Sequence, residues 1–311
     1  MKPLGKKKPL IVITGPTAVG KTRLAVAVAH SLQGEIINAD SRQVYRQMDI
    51  GTGKDLAEYH IDGHTVPYHL IDICAPGYQY NIKDYQQDFA RVYAELQGRG
   101  VPAVVCGGSG LYIESALEGN PFAFVPVNES LRQALQDESK TRLMRMIPEA
   151  LKQQLNITTL TTTKRLVRAV EIAAYQQKNP RQEPRQERLP ARLFVLQLPR
   201  TRVLQRILDR LEYRLQHGLI EEVEQLLATG LTPEQLLYYG LEYRWVTLYV
   251  LGEMSYEAMF ERLNIAIRQF AKRQMTWFRR MEKKGYRLTW LDASRPVTRL
   301  RDEVLDGIAA G

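Results

Sequence analysis

Cysteine and long apolar runs are the features that this sequence has least of. Its two cysteines, Cys74 and Cys106, are too few for a disulfide framework or a four-cysteine zinc site, which favours a reducing compartment. No stretch approaches the roughly twenty consecutive apolar residues of a membrane span. The lysine-rich beginning precedes an apolar run about half as long as the core of a secretion signal. We therefore expect a cytoplasmic protein that does not enter a membrane.

Acidic side chains are in the minority, with 34 Asp and Glu against 43 Lys and Arg and a formal net charge of +9. The excess is uneven. Residues 161–210 hold twelve basic and four acidic side chains and residues 268–287 hold eight and one, whereas residues 211–267 are net acidic. Such clusters predict a polyanionic partner, above all a nucleic acid. Solvated helix faces rich in arginine remain the alternative that charge alone leaves open.

One motif is specific for phosphate binding. Residues 15–22 read GPTAVGKT, which matches G-x-x-x-x-G-K-[ST] between a predicted strand and a predicted helix. In such a loop, backbone N–H groups and the helix N-terminus surround phosphate oxygens, the lysine neutralises them and the last hydroxyl can hold magnesium. We predict a cradle for a diphosphate or nucleotide formed by Gly15, Pro16, Thr17, Ala18, Val19, Gly20, Lys21 and Thr22.

The order of the apolar runs predicts an α/β fold. PLIVITG, GEIINAD, HLIDI and VPAVVCGG are typical of short buried strands, and helical patterns alternate with them. We predict a P-loop NTPase-like parallel sheet flanked by helices, formed by residues 1–122 and 191–311, with a helical insertion at 123–190. Within the insertion, residues 178–190 are expected to be an exposed linker. ARLFVLQL, at 191–198, would rejoin the sheet, and only helices would follow it in a helical C-terminal portion.

Polar residues follow several of the predicted strands. Ligands of open α/β sheets bind beyond the carboxyl ends of the strands, so these residues are candidates for the site. Asp40 follows EIINA, and its carboxylate either projects into the cleft or caps the next helix. Asp72 ends HLIDI and is a candidate to orient magnesium or its waters, although a structural role is slightly favoured. Ser109 either caps a helix or points its hydroxyl at the phosphate site.

Six stretches resemble one family. GPTAVGKT, ADSRQVYRQMDIGTGKD, HLIDI, GGSGLYIESALEG, KRLVRAVE and AKRQMTWFRR occur in the order and approximate spacing of tRNA dimethylallyltransferases, also called isopentenyl-tRNA transferases. The resemblance covers most of residues 10–292. It implies that the cradle binds the diphosphate of dimethylallyl diphosphate with Mg²⁺. It also implies that the five-carbon group is transferred to the exocyclic N6 amine of the adenosine directly 3′ of the anticodon in tRNA, with release of diphosphate.

The same resemblance implies catalytic roles for three residues. Asp40 matches the family's catalytic aspartate and would accept a proton from the amine. Ser109 stands where most members have threonine and would contact the bridging oxygen of the donor. Arg210, in the pattern R-x-x-x-R, would stabilise the leaving diphosphate. Thr22 would hold Mg²⁺, with Asp72 as a further candidate acting through water.

A basic surface is expected on the side that faces RNA. Arg268, Lys272 and Arg279 fall within about 40° of one another on a predicted helix from about Tyr256 to Lys284, beside an apolar stripe. Taken alone, that pattern more often marks a solvated amphipathic helix, but the resemblance favours RNA contact. Together with the resemblance, this pattern implies a set of tRNA-binding residues: Asp40, Ser41, Arg42, Gln43, Ser109, Arg132, Lys164, Arg165, Leu166, Val167, Arg168, Arg268, Lys272, Arg273 and Arg279.

The sequence also departs from the family pattern. GTGKD replaces the more common GTAKP, YYGLEYR at 238–244 stands where many members have a Gly-Tyr-containing turn, and the insertion is short. Three rival functions stay open: an adenylate isopentenyltransferase acting on free nucleotide, a P-loop small-molecule kinase, and an RNA-binding relative without activity. The expected oligomeric state is a monomer.

Overall fold

The chain forms two compact units. The computed structural model describes residues 9–155, 162–179 and 187–310. The core unit comprises Met1–Leu117 and Arg188–Gly311, and the insertion unit comprises Glu118–Glu187. Each unit has its own cluster of buried apolar side chains. The boundaries expected from the sequence, 123–190, lie slightly further along the chain, and residues 180–186 of the expected linker lie outside the described residues.

The core unit contains a parallel sheet of six strands in the order β5-β2-β6-β1-β7-β8. A separate antiparallel pair is formed by β3 and β4. The strands are β1 (Leu10–Thr14), β2 (Glu35–Asn38), β3 (His60–Ile61), β4 (His64–Thr65), β5 (Tyr68–His69), β6 (Ala103–Gly107), β7 (Ala191–Gln197) and β8 (Leu288–Asp292). Every residue of β1 and β6 is buried, as expected for central parallel strands covered on both faces.

Helices form most of the remaining regular structure in the described residues of both units. The core unit contains α1 (Lys21–Leu32), α2 (Ile82–Arg99) and α3 (Gly110–Glu118), the last of which ends at the unit boundary. The insertion unit contains α4 (Glu129–Leu135), α5 (Lys140–Arg145), α6 (Glu149–Leu155) and α7 (Thr163–Lys178). The chain returns to the core unit for α8 (Arg200–Gln216), α9 (Leu219–Ala228), α10 (Pro233–Tyr239), α11 (Leu241–Val250), α12 (Tyr256–Lys283) and α13 (Val297–Ala309). Short 3-10 turns span Leu56–Tyr59 and Pro121–Phe124.

The predicted α/β class with a parallel sheet is confirmed, with two corrections to its strands. Only His69 of HLIDI lies in a strand, β5, because Leu70 and Asp72 adopt left-handed backbone with φ of 62° and 56°. Asp72 therefore does not end a strand. The prediction that only helices follow β7 is wrong, because β8 pairs with β7 at the edge of the sheet. Its alternating exposure, with Leu291 buried between the half-buried Trp290 and the exposed Asp292, gave a weaker sequence signal than the buried runs.

Candidate active site

The cradle predicted from GPTAVGKT joins the end of β1 to the start of α1. Gly20 precedes the helix with φ of 89°, a left-handed conformation that favours glycine. A Cβ atom on Gly15 would lie 2.6 Å from the carbonyl oxygen of Leu196 on β7, so the loop needs glycine there. No side chain caps α1 and no acidic residue lies in its first turn. The first N–H groups of the helix are therefore available to an anion.

Lys21 and Thr22 begin the helix on the cradle side. The Lys21 ammonium donates a hydrogen bond to the carbonyl oxygen of Pro16 at 2.8 Å. Burial lowers the pKa of Lys21 to about 8, while Cys106 and Asp40 act in the opposite direction. Within the described residues, the hydroxyl of Thr22 has no hydrogen-bond partner, and Lys21 forms no ion pair with a carboxylate. The charge of Lys21 is thus left for a ligand.

Two arginines of α8 contact the cradle loop, one helical turn apart. Arg210 donates a short hydrogen bond to the hydroxyl of Thr17, and Arg206 donates to the carbonyl oxygen of Ala18 at 3.4 Å. Burial, and then the positive charge of Arg214, lower the pKa of Arg210 to about 9, which still leaves the guanidinium charged at neutral pH. No carboxylate among the described residues forms an ion pair with Arg210.

Asp40 lies two residues beyond β2 and is half-buried. Its Oδ1 accepts a hydrogen bond from the backbone N–H of Arg42 at 3.0 Å. Asn38 holds the same turn, because its Oδ1 accepts from the N–H of Asp40 and its amide donates to the carbonyl of Asp40. The residues that follow form turns and no helix, so Asp40 is not a helix cap. Its second carboxylate oxygen has no hydrogen-bond partner among the described residues and can accept a proton from a ligand.

The loop after β6 brings Ser109 beside this turn. The N–H of Ser109 donates to the carbonyl of Ala39 at 3.1 Å, and a Cβ atom on Gly107 would overlap the Ala39 backbone. The Ser109 hydroxyl accepts a hydrogen bond from the N–H of Ser41 at 3.2 Å. Among the described contacts it does not cap α3, so its side chain faces the Asp40 loop. The structure therefore brings Asp40 and Ser109 onto adjoining loops.

Gln274, a residue that the sequence prediction omitted, joins the cradle to the Ser109 loop. Its Oε1 accepts from the N–H of Thr17 at 2.9 Å, and its amide donates to the carbonyl of Gly108 at 2.9 Å. The side chain is buried on the face of α12 that also buries Ile267, Ala271 and Phe278. A glutamine at a core position of an amphipathic helix is the signal that could have identified it, since a buried amide requires partners.

Asp72 does not lie free to hold a metal. Its carboxylate forms a short ion pair with the ammonium of Lys54. The Lys54 side chain is buried, and its ammonium also pairs with Asp49. The Lys54 ammonium additionally donates to the carbonyl of Tyr45 at 2.9 Å. Asp72 therefore neutralises a buried lysine, and the structural role weighed for it from the sequence accounts for its position.

The residues after Asp40 point in different directions. Arg42 lies 5.8 Å from the ring centroids of both Tyr238 and Tyr239, at the end of α10. Gln43 donates to the carbonyl of Gly53 at 3.3 Å. Ser41 is half-buried beside Ser109. The predicted RNA-facing stretch is thus held to the core unit by several separate contacts.

The predicted RNA-binding residues of the insertion unit divide into three groups. The carboxylate of Glu171 is buried and accepts from Arg132 at 2.8 Å and from Arg168 at 3.0 Å. Arg168 also donates to the carbonyl of Val125 at 2.7 Å, so both arginines hold the unit together. Leu166 and Val167 were expected to contact tRNA, but their side chains are buried in the apolar cluster of the unit and offer no RNA-binding surface. Lys164 and Arg165 are exposed.

The basic residues of α12 are mostly on its solvent side. Lys272, Arg273 and Arg279 are exposed, while Arg268 is half-buried with its Nε shielded from solvent. Arg279 lines an open groove with Gln197 and Trp290, beside the edge of the sheet. The C-terminal half of the helix therefore presents positive charge to solvent, as an RNA-facing surface requires.

No described helix combines the length and the apolar character needed to cross a membrane. No group of three His, Cys, Asp or Glu side chains in the described part of the chain could bind a metal by itself.

Comparison with known proteins gives the family. The profile of the IPP transferase family matches residues 43–281, and that of the isopentenyl transferase family matches residues 8–65. A tRNA dimethylallyltransferase of Parabacteroides distasonis is 47% identical over 94% of this chain and 95% of its own length. One from Porphyromonas gingivalis is 49% identical over 93% and 95%. The crystal structure of a tRNA isopentenylpyrophosphate transferase from Bacillus halodurans superimposes with a TM-score of 0.72 at 29% identity, covering 98% of this chain and 96% of that one. The chain belongs to the tRNA dimethylallyltransferase family, a family of prenyltransferase enzymes.

Proposed function

We propose that this protein transfers the dimethylallyl group of dimethylallyl diphosphate to the exocyclic N6 amine of the adenosine directly 3′ of the anticodon in tRNA. The observation that carries the proposal is that groups of opposite charge lie on loops at the same edge of the parallel sheet. Lys21 and Arg210 supply positive charge with no carboxylate ion-pair partner among the described residues, beside a helix N-terminus that no side chain caps. Asp40 supplies a carboxylate oxygen without a described partner on the loop after β2, and the Ser109 loop, which follows β6, lies between that loop and the cradle. The first group suits a departing diphosphate, and the second suits an amine that must lose a proton.

Each of these groups would have a separate role in prenyl transfer. An aromatic exocyclic amine is a weak nucleophile, because its lone pair is delocalised, and it sheds a proton as the carbon–nitrogen bond forms. Asp40 would orient the amine and accept that proton. As the allylic carbon–oxygen bond breaks, negative charge gathers on the diphosphate, where the cradle N–H groups, Lys21 and Arg210 would stabilise it. Ser109 would donate its hydroxyl to the bridging oxygen.

Magnesium fits the donor set of the cradle. Thr22 offers a hydroxyl without a protein partner in the described residues, at the helix position that holds Mg²⁺ in phosphate-binding loops. Mg²⁺ keeps several waters and is usually held by one or two protein groups plus phosphate oxygens, so a single hydroxyl is sufficient from this chain. The ion would supply further charge neutralisation of the diphosphate. Asp72 is not part of this proposal, since Lys54 engages its carboxylate.

The acceptor must be extruded from its RNA to reach Asp40. An adenosine stacked in an anticodon loop cannot enter a cleft, so recognition requires a splayed-out base and phosphate contacts around it. Lys272, Arg273 and Arg279 on α12, with Lys164 and Arg165 on α7, are exposed cations suited to those contacts. We place this activity in the cytoplasm and assign it to a monomer.

One experiment separates this function from its rivals. The protein is incubated with magnesium, dimethylallyl diphosphate, AMP, ATP and an unmodified tRNA whose anticodon is followed by adenosine. Mass spectrometry then identifies the free nucleotides and the nucleosides of the digested tRNA. Prenylated adenosine at that position supports the proposal. Prenylated AMP in place of prenylated tRNA, phosphoryl transfer from ATP, or bound but unmodified tRNA would each overturn it.

The low pKa of Lys21 predicts a pH dependence of donor capture. The ammonium form binds the diphosphate, and with a pKa of about 8 it is lost as the pH rises through that value. We expect kcat/KM for the donor to fall on the alkaline side of about pH 8, because kcat/KM reports the free enzyme. The measurement is a pH profile at low donor concentration. Lys21→Met should give low activity with no such fall, and a flat wild-type profile would contradict the assignment.

Charge reversal on α12 is predicted to weaken RNA binding selectively. The double variant Lys272→Glu with Arg279→Glu should raise the Kd for tRNA by about tenfold or more at physiological salt, since each residue repels a phosphate instead of attracting it. Donor affinity should stay unchanged, because neither side chain contacts the cradle. Binding is measured by filter retention at several salt concentrations. Arg299→Glu, an exposed position on α13, is the control, and unchanged tRNA affinity in the double variant would refute the assignment.

A further inference from the structure

A third arginine of α8 lies one turn beyond Arg210 and does not contact the cradle. The guanidinium of Arg214 packs on the backbone of Gly53, at the end of the loop that begins with Asp40. A Cβ atom on Gly53 would overlap Nη2 of Arg214 and lie 3.0 Å from its Cζ. Gly53 has φ of 68°, so its conformation as well as this contact favours glycine. The glycine in GTGKD thus accommodates a guanidinium.

Glu242 is the carboxylate partner of this arginine. Its Oε1 accepts from Nη1 of Arg214 at 3.4 Å, and each side chain is only 11% exposed. Glu242 is the second residue of α11, within the YYGLEYR segment, and follows Leu241, whose φ of 40° is unusual for a residue with a side chain. A buried guanidinium near Arg210 needs such a counter-charge, because removal of one partner of a buried pair leaves an uncompensated charge.

The contact reaches the acceptor-side residues through Gly53. The carbonyl of Gly53 accepts from the amide of Gln43, which lies three residues after Asp40. The preceding residues of the loop are held separately. Glu222 accepts from the N–H groups of residues 49, 50 and 51 at 2.7, 2.7 and 3.0 Å, and from the hydroxyl of Tyr243 at 2.7 Å. Glu242 and Tyr243 are adjacent in α11 and both hold this loop. Glu242 does so through Arg214 of α8, and Tyr243 through Glu222 of α9.

We propose that Arg214 and Glu242 are positioning residues for the transfer reaction. The Glu242 carboxylate holds the Arg214 guanidinium against Gly53, and this contact fixes the loop from Asp40 to Lys54, so that Asp40 stays oriented toward the acceptor amine. The inference rests on the proposed function and extends it to two residues that do not touch either substrate. Their effect should appear in the rate of transfer at saturating donor and not in capture of the donor.

Glu242→Gln is the variant that tests the pair, since it keeps the size and an acceptor oxygen but removes the charge. We expect kcat at saturating donor and tRNA to fall by about tenfold, as a small displacement of a catalytic group does, with donor KM within about twofold of wild type. Glu35→Gln is the matched control. Glu35 pairs with Arg99 at 2.7 Å at the opposite end of β2, away from the site, and its variant should keep wild-type constants. Wild-type kcat in Glu242→Gln, or a loss confined to donor KM, would overturn the proposal.

Hydrogen exchange of the free protein provides a readout that does not depend on activity. Amides of residues 49–53 should exchange faster in Glu242→Gln than in wild type or Glu35→Gln, because the loop loses one of its fixed points. Unchanged exchange there, even with a lowered melting temperature, would assign the pair a structural role only. If wild type forms no prenylated adenosine, the proposed function fails, while the exchange result still decides whether the pair fixes the loop.

A double-mutant cycle tests whether the close packing of Arg214 on Gly53 affects kcat. Gly53→Ala should displace the Arg214 guanidinium and lower kcat, whereas the same change in an Arg214→Ala background should have a smaller effect, because the space is then vacant. Effects on kcat that multiply independently would show that Gly53 and Arg214 do not act as a unit, and would overturn the positioning role.

Discussion

Replacement of Asp40 by alanine is expected to lower kcat for prenyl transfer by about 10² to 10⁴. The turn formed by Asn38 and Asp40 leaves one carboxylate oxygen without a partner in the described residues, beside the loop of Ser109. Without that oxygen the amine has no positioned acceptor for its proton. Transfer is measured with radiolabelled donor at saturating concentrations of both substrates.

Donor binding is the control for this variant. The cradle does not include Asp40, so the affinity for a non-hydrolysable donor analogue should remain near that of wild type in Asp40→Ala. Asp40→Asn should keep the hydrogen bond to the Arg42 N–H through its amide oxygen, yet lose transfer almost as fully, because an amide cannot accept the proton. Near-normal turnover by either variant would remove Asp40 from the mechanism.

Replacement of Arg210 by methionine is expected to lower kcat by about 10² to 10³, the effect of removing one group that stabilises developing charge. The guanidinium contacts the hydroxyl of Thr17 in the middle of the cradle loop and carries no carboxylate partner within the described chain. Its charge therefore acts on the diphosphate as the carbon–oxygen bond breaks. Single-turnover rates with saturating enzyme measure the chemical step directly.

Arg206→Met is the matched control for that experiment. Arg206 lies one turn earlier on α8, is exposed, and contacts only the carbonyl of Ala18, at 3.4 Å, among the described residues. We expect its loss to change the single-turnover rate by less than about tenfold, because an exposed charge is screened by solvent. Equal losses in the two variants would indicate a general effect of positive charge on α8 and would contradict a specific role for Arg210.

Local patterns explain what could be predicted from the sequence. GPTAVGKT carries its geometry within eight residues, because the two glycines, the strand before them and the helix after them are contiguous. The buried strands β1, β2, β6 and β7 were identifiable because parallel strands covered on both faces are continuous apolar runs. The α/β fold and the family were therefore predicted correctly, whereas the roles of Asp40, Ser109 and Arg210 stay predictions.

Long-range contacts explain what the sequence could not predict. Gln274 is 257 residues from Thr17 along the chain, and no periodicity indicates that one side chain joins two loops. Leu166 and Val167 belong to the same segment as the exposed Lys164 and Arg165. One turn of a helix has a buried side and an exposed side, and Leu166 and Val167 lie on the buried side of α7. Asp72 was expected at a strand end, whereas a left-handed backbone and Lys54 place it elsewhere. Contacts with residues distant in sequence decide the positions of Gln274 and Asp72, and burial in the insertion unit decides those of Leu166 and Val167.

The two chain connections of the insertion unit indicate where this segment could be exchanged with that of a relative. The chain enters the insertion unit from α3, which follows β6, and leaves it into β7, and these two strands lie on either side of β1. The N–H of Leu189 donates to the carbonyl of Leu117 at 2.7 Å. A hydrogen bond thus joins the segments through which the chain leaves and re-enters the core unit, and the residues between them have their own apolar cluster. Grafting the equivalent segment of a relative between these two leucines should therefore exchange the module while the phosphate-binding sheet keeps its register.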